Sequence, residues 1–314
     1  MTTQKLSPGT ALLLCVPPLM WAGNAIVGRV LAPLCPPITL NLLRWTLAAL
    51  ILLPLAWPAW RRGIIQLGLR EAWRPLVLMG LLGIGCYNSF QYLALQTSSP
   101  VNVTLVAASG PLWIMLVGAV FFGVRPNLMQ GVAALFSIAG VLVVLTQGQW
   151  QALLGLSLVA GDLFMLVAAL CWAGYSWLLL RARVPSALRE HWAAFLFVQV
   201  LFGVMWSSVA AAIELSWGGQ SVIWDTRLIA GLAFVMIGPA VVAYRCWGLG
   251  VQRAGPTVAA FFSNLTPLLA ALLSTVLLGE PPHVYHLVAF GLIVSGIILS
   301  ARATATTVPA AVKR

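Results

Sequence analysis

An all-α membrane protein, ten transmembrane helices arranged as two inverted-topology five-helix repeats, is the fold that the sequence predicts. Three observations predict it. Of 314 residues, 61% are hydrophobic and 7% charged, whereas about a quarter of a soluble globule is charged. Apolar tracts of roughly 17 to 24 residues alternate with short polar or Pro/Gly breaks, the length that a helix needs to cross about 30 Å of hydrocarbon. The third observation is a repeat. PLWIMLVGAVFFGVRP (111–126) and PLLAALLSTVLLGEPP (267–282) match at Pro111/Pro267, Leu112/Leu268, Leu116/Leu272, Val120/Val276, Gly123/Gly279 and Pro126/Pro282, always 156 residues apart.

A segment surrounded by lipid must satisfy its own backbone, so these tracts are helices or barrel strands, and their length without strict alternation selects helices. In order, they are expected at 11–28, 38–57, 75–95, 101–122, 128–146, 157–180, 192–213, 228–248, 257–278 and 284–300. The first is expected to stay in the protein rather than be cleaved as a signal peptide. Trp21, Asn24 and Pro17-Pro18 interrupt it, no small-x-small cleavage site ends it, and nine more segments follow. The fourth and ninth contain Pro111 and Pro267, which should kink them and free a backbone carbonyl.

The same offset also matches Leu93/Leu249, Pro100/Pro256, Ala133/Ala289 and Gly140/Gly296, and LMWAGN (19–24) resembles LCWAGY (170–175) at an offset of 151. The chain therefore divides into five-helix halves, 1–150 and 151–314. Because five is odd, the second half must enter the bilayer from the opposite side. Halves related by a two-fold axis in the membrane plane can exchange conformations, which moves the opening of a central cavity from one side to the other. The charges give the orientation. With the N-terminus inside, Lys5, Arg61, Arg62, Arg70, Arg74, Arg125, Arg181, Arg183, Arg189, Arg245, Arg253, Arg302, Lys313 and Arg314 fall at the inner side, and only Arg29 and Arg227 fall outside. This positive-inside bias puts both termini in the cytoplasm. It also explains the net charge of +11 as orientation and contact with anionic lipid, not as a nucleic-acid surface.

The chain resembles the EamA-type ten-helix members of the drug/metabolite transporter superfamily over nearly its whole length. The resemblance rests on W-A-G-N (21–24), L-N-L-L-R-W (40–45), Y-L-A-L-Q-x-x-x-P (92–100), G-P-L-W (110–113) and G-E-P-P (279–282). One departure is Gly123-Val124-Arg125-Pro126, where the family often has Gly-Glu. The resemblance implies a multi-pass carrier of the bacterial inner membrane. Many such carriers export amino acids or other metabolites, and some carry nucleotide-linked sugars or cationic compounds.

Several side chains are candidates to bind a small-molecule substrate. Arg44 lies about seven residues into the second segment, where a guanidinium must reach an acceptor, face the interior or snorkel toward an interface; inside, its fork could pair with a carboxylate. Asn24 and Tyr175 each follow a tryptophan, Trp21 or Trp172, by three residues in the first and sixth segments. They would offer hydrogen bonds and aromatic faces across the pseudo-axis. Tyr87, Asn88, Gln91 and Tyr92 share one helix face by their spacing, as a cavity wall would. Tyr244, Ser109, Trp113, Ser263 and Asn264 complete the set. Trp57, Trp60, Trp73, Trp150, Trp217 and Trp224, near segment ends, read as interface anchors.

No catalytic residues, cofactor or metal are expected. Glu280, His283 and His286 have E-x-x-H-x-x-H spacing, but steps of three drift around a helix and Pro281-Pro282 interrupts the turn. Five scattered cysteines read as small buried residues. No Walker loop or dinucleotide fingerprint is present, and no acid lies deep in a segment, so the expected mode is facilitated diffusion or proton coupling through an outer-mouth acid such as Glu214 or Asp162. A nucleotide diphosphate would call for more cations than Arg44 supplies. The protein is expected to act as a monomer or loose homo-oligomer.

Overall fold

The computed structural model describes residues 6–61, 63, 67–98, 100–155, 158–216, 221–278 and 283–306, and all its regular structure is helical. The long elements are α1 (Pro8–Leu31), α2 (Pro37–Trp60), α3 (Leu69–Thr97), α4 (Pro100–Ala108 and Gly110–Phe122), α5 (Leu128–Leu145), α6 (Ala160–Arg181), α7 (Trp192–Ser216), α8 (Thr226–Ala254), α9 (Pro256–Ser263 and Leu265–Leu278) and α10 (Val284–Thr306). Nine helices among the described residues are long and apolar enough to cross a membrane. The two parts of α4, bent by 44°, make a tenth when taken as one span. The bend falls at Ser109, just before Pro111, so the Leu112 amide turns back to Ser109.

Several helices outrun the apolar tracts that predict them. α3 begins at Leu69 rather than 75, because Ala72, Leu76 and Met79 form a buried stripe while Arg70 and Glu71 stay on the other face. α6 ends where Arg189, from the short helix Ser186–Glu190, donates from Nη1 to the Leu179 carbonyl (2.6 Å) and from Nη2 to that of Ala182 (3.0 Å). The last carbonyls of α6 thus receive a cation suited to that end of the helix. Of the expected interface tryptophans, Trp57, Trp73, Trp150 and Trp224 are exposed, Trp60 packs on Phe197, and Trp217 lies outside the described residues. Cys35 is buried and the other four cysteines are half-buried; all are free thiols.

α3 and α8 each contain a π-helical turn, Gly80–Cys86 and Met236–Val242, again 156 residues apart. In each, the following amide reaches one residue too far back: Tyr87 N–H bonds the Leu82 carbonyl and Ala243 N–H that of Gly238. The carbonyls four residues back, Gly83 and Pro239, are skipped. Such turns interrupt the regular ladder and recur at functional sites.

Helix contacts come in matching sets. α2 packs on α7 and α5 on α10; α1 packs on α8 and on the second part of α9, as α6 packs on α3 and on the second part of α4. Small residues set these contacts, as they do where lipid supplies no hydrophobic drive. A Cβ on Gly140 would stand 2.9 Å from the Ala289 carbonyl and 2.7 Å from Ile293 Cγ1, while one on Gly296 would stand 2.8 Å from the Ala133 carbonyl and 3.0 Å from Ser137 Cβ. Each glycine faces the counterpart of its own neighbours.

Candidate functional site

We call the bundle face where α1 begins the terminal face and the opposite one the distal face. A cavity of about 420 Å³ runs from the middle of the bundle to the distal face, within the range of small-molecule sites. Its wall comes from the distal halves of α1, α2, α3, α4 and α6 and from the middle of α9, with Cys35 and Pro37 at the mouth. Ten sequence-predicted residues line it: Trp21, Asn24, Arg44, Tyr87, Asn88, Gln91, Tyr92, Trp172, Ser263 and Asn264. Four do not. Ser109 and Trp113 satisfy each other, indole Nε1 donating to Ser109 Oγ at 2.8 Å, and Ser109 Oγ donates to the Val106 carbonyl at 2.6 Å. Tyr175 lies below the cavity against Gly83, away from Asn24, and Tyr244 lies under the floor against Trp172 and Trp45.

Arg44 faces the interior and is 1% exposed. Its Nη1 donates to Asn88 Oδ1 at 3.3 Å and to the Tyr92 hydroxyl at 3.4 Å, both long, and its Nε has no hydrogen-bond partner among the described residues. Its guanidinium also lies 5.1 Å from the centre of the Trp45 ring. A charge placed this way costs about 2.5–3.5 kcal/mol on insertion scales, and neutral partners at such lengths return little of it. No acidic residue lines the cavity among the described residues. Asn24 Oδ1 and Ser263 Oγ are likewise buried without partners among the described residues. Unmade hydrogen bonds at a cavity wall are costly unless water or a ligand makes them.

Part of the wall is aromatic. Trp21 and Trp172 meet edge to face with centroids 5.3 Å apart, and Tyr87 lies 4.7 Å from Trp172. The cavity can therefore bind a small molecule with an anionic end at Arg44 and a flat or apolar end among these rings.

Glu214 and Asp162, the acids that the sequence offers for proton coupling, are both engaged. Glu214 accepts from the Ile38 amide (3.0 Å), the Thr39 amide (2.8 Å) and Thr39 Oγ1 (2.8 Å). It caps α2, which begins Pro36-Pro37 and has no side-chain cap of its own. Asp162 accepts from Ser98 Oγ, from Asn102 Nδ2 (3.0 Å) and from the Val159 amide (2.9 Å), tying the α3–α4 junction to the start of α6. No group of three or more His, Cys, Asp or Glu side chains placed to hold a metal occurs among the described residues. Glu280 lies outside them, and His286 Nδ1 is taken by the His283 amide at 3.0 Å.

Sequence reasoning singled out neither Gln96 and Thr104, which line the cavity, nor Asn41. Gln96 extends the Tyr92 face by one turn. Asn41 precedes Arg44 by three residues; its Nδ2 donates to the Ile84 carbonyl (3.2 Å), Ser89 Oγ (3.3 Å) and Ser207 Oγ (3.2 Å), joining α2, α3 and α7. The Asn264 amide nitrogen donates to the Ala108 carbonyl (3.0 Å), left open by the α4 bend, and to Ser137 Oγ (2.8 Å).

The sequence profile of the EamA-like transporter family matches residues 9–146 and again 159–302. An uncharacterized transporter from Archaeoglobus fulgidus is 26% identical over 93% of this chain and 96% of its own length. The aromatic amino acid exporter YddG from Ancylobacter novellus is 28% identical over 75% of this chain and 78% of its own length. A solved crystal structure of a protein 24% identical in sequence superposes with a TM-score of 0.73, covering 93% of this chain and 97% of its own, which shows a shared fold.

Proposed function

Because the chain belongs to the EamA-like transporter family, and so moves small molecules across a membrane rather than catalysing a reaction, we propose that it exports amino acids, aromatic ones included, by alternating access. The observation that carries this reading is Arg44, a buried cation with no acidic partner among the described residues, in one cavity with the Trp21–Tyr87–Trp172 cluster. A carboxylate on the guanidinium supplies the missing charge, and the aromatic wall accepts the side chain. The similarity to an aromatic amino acid exporter supports the same substrate class. Organic cations fit less well, since Arg44 repels them.

The transport cycle follows from two inverted halves, 1–150 and 151–314, with ten spans, both termini cytoplasmic in a bacterial inner membrane, and the distal face outside. The twofold match of the family profile, the paired π turns and the matching helix contacts support this arrangement. The described state is then open to the outside and closed to the cytoplasm. We propose facilitated diffusion as the mode, since Asp162 and Glu214 are committed to holding helix ends.

Counterflow in proteoliposomes tests the substrate. Radiolabelled phenylalanine or tryptophan is expected to accumulate transiently against an internal load of the same amino acid, and Arg44→Ala is expected to abolish this in correctly folded protein. Movement of nucleotide sugars with no movement of amino acids refutes the proposal. Uptake measured with and without a pH gradient is expected to be equal.

A further inference from the structure

We infer that Asn88 and Tyr244 form a two-position hydrogen-bond switch that ties the Arg44 site to the π turns of α3 and α8. The inference rests on the inverted-repeat reading above and goes beyond it by naming the bond that changes hands. Asn88 and Tyr244 occupy equivalent positions, 156 residues apart, and they are bonded to each other, Asn88 Nδ2 donating to the Tyr244 hydroxyl at 3.3 Å. A residue that touches its own counterpart lies on the axis relating the halves, as in any two-fold contact.

The Tyr244 hydroxyl in turn donates to the Gly83 carbonyl, which the π turn skips. Asn88 Oδ1 accepts from Arg44. A continuous chain therefore runs from the guanidinium through Asn88 and Tyr244 to the backbone of α3. Its mirror bond is defined by the sequence. The counterpart of Gly83 is Pro239, whose carbonyl the second π turn skips in the same way. The counterpart of Tyr244 is Asn88, which carries a donor. When the halves exchange conformations, the Asn88 amide takes the Pro239 carbonyl and Tyr244 releases Gly83. Each state keeps one skipped carbonyl bonded by the partner half, and each polar group sits where losing its partner is costly. Through Arg44, an anion in the cavity bears directly on the residue that changes partner.

Two cysteine reporters on a cysteine-free background read the populations without substrate. Leu95, in the cavity wall and 45% exposed, reports the distal opening; its counterpart Val251, fully buried here, reports the terminal opening. Tyr244→Phe removes the bond of the described state, so distal labelling of Leu95→Cys should fall and terminal labelling of Val251→Cys should rise. The ratio should change by about fivefold, the shift that one such hydrogen bond supports. Asn88→Asp keeps an oxygen for Arg44 but removes the donor for Pro239, and Tyr244 keeps Gly83, so it should move the ratio the other way. A packing defect alone has no reason to give opposite signs. If both variants shift the ratio in one direction, or neither moves it while the unmodified background labels at both positions, the switch is wrong and alternating access stands. If Val251→Cys is never labelled in any variant, alternating access fails and takes the switch with it. Should Tyr244→Phe not fold, the sign of the Asn88→Asp shift alone decides.

Discussion

The last turns of α3 and α8 occupy the same place in the two halves but opposite environments. Gln91 and Leu95 on α3 face the cavity; Trp247 and Val251, their counterparts on α8, are fully buried. Trp247 donates to Ser176 Oγ at 3.2 Å and packs at a tilt against Trp172 at 5.1 Å and Trp21 at 5.6 Å. In α1 the residue corresponding to Ser176 is Ala25, exposed on the cavity wall. The difference lies partly in conformation and partly in side chains: the closed half has an indole where the open half has an amide. On the alternating-access proposal a terminal opening must dislodge Trp247, whereas the counterpart on the distal side is the cavity-lining Gln91.

The largest expected effect comes from removing that plug. Trp247→Ala leaves a cavity among Trp21, Trp172 and Ser176 and should cost about 3–5 kcal/mol of stability, read as a lower midpoint of thermal unfolding in detergent. In folded protein it should also make Val251→Cys accessible from the terminal face. Trp247→Gln, which gives the closed half the residue of the open one, should open that face at a smaller cost. If Val251→Cys stays protected in both, Trp247 is not what closes the bundle.

The second prediction asks how alike the halves are where they meet. Gly140→Ala and Gly296→Ala each push a methyl into backbone and side-chain atoms of the facing helix, at about 1–3 kcal/mol each. Near-symmetric surroundings should make the two costs agree within about 0.5 kcal/mol, and the double variant should depart from additivity because both sites share one interface. A clear inequality would show that the α5–α10 contact is not two-fold.

A smaller effect is expected at the cavity mouth. Glu214→Gln keeps the size of the α2 cap but gives up its charge, worth about 1 kcal/mol at a helix N-terminus. Because Pro37 and Leu40 line the cavity, loosening that end should raise the KM for transport with little change in Vmax. An unchanged KM in folded protein would separate the cap from the site.

Much of this comparison was legible in the sequence, and the illegible part has physical causes. Hydropathy and the constant offset marked the segments because lipid imposes length and composition on every span. The polar face of Tyr87, Asn88, Gln91 and Tyr92 was legible because helical spacing alone decides which residues share a wall. Tyr175 was not: it matches Asn24 in sequence, but the position lines the cavity in α1 and is buried in α6. A difference in burial between matched positions leaves no mark on composition. The π turns were invisible too, since GLLGIGC and MIGPAVV share little beyond small residues, and carbonyls of the α3 turn are held by partners distant in the chain, Asn41 and Tyr244.

The smallest prediction concerns how α3 and α8 begin. α3 starts at Gly68, left-handed at φ 65° with no side-chain cap, whereas Asp225 caps α8, its carboxylate accepting from the Leu228 amide at 2.8 Å. That hydrogen bond, with Arg227 at 2.8 Å, holds the Asp225 carboxyl below its usual value. A group whose folded pKa is depressed contributes stability above its unfolded value, near 4, and loses that contribution as pH falls through the folded one. Asp225 lies at an exposed helix end, so the effect should be small. Asparagine caps about as well as aspartate but does not titrate. Asp225→Asn should therefore melt close to the unmodified protein at pH 7 and lack the part of its acid-range decline that belongs to this group. Removing the cap outright with Asp225→Ala should lower the midpoint at every pH and leave α8 with as bare a start as α3. If unmodified protein and Asp225→Asn show the same pH dependence between pH 3 and 7, the carboxylate gives α8 nothing that a neutral cap would not.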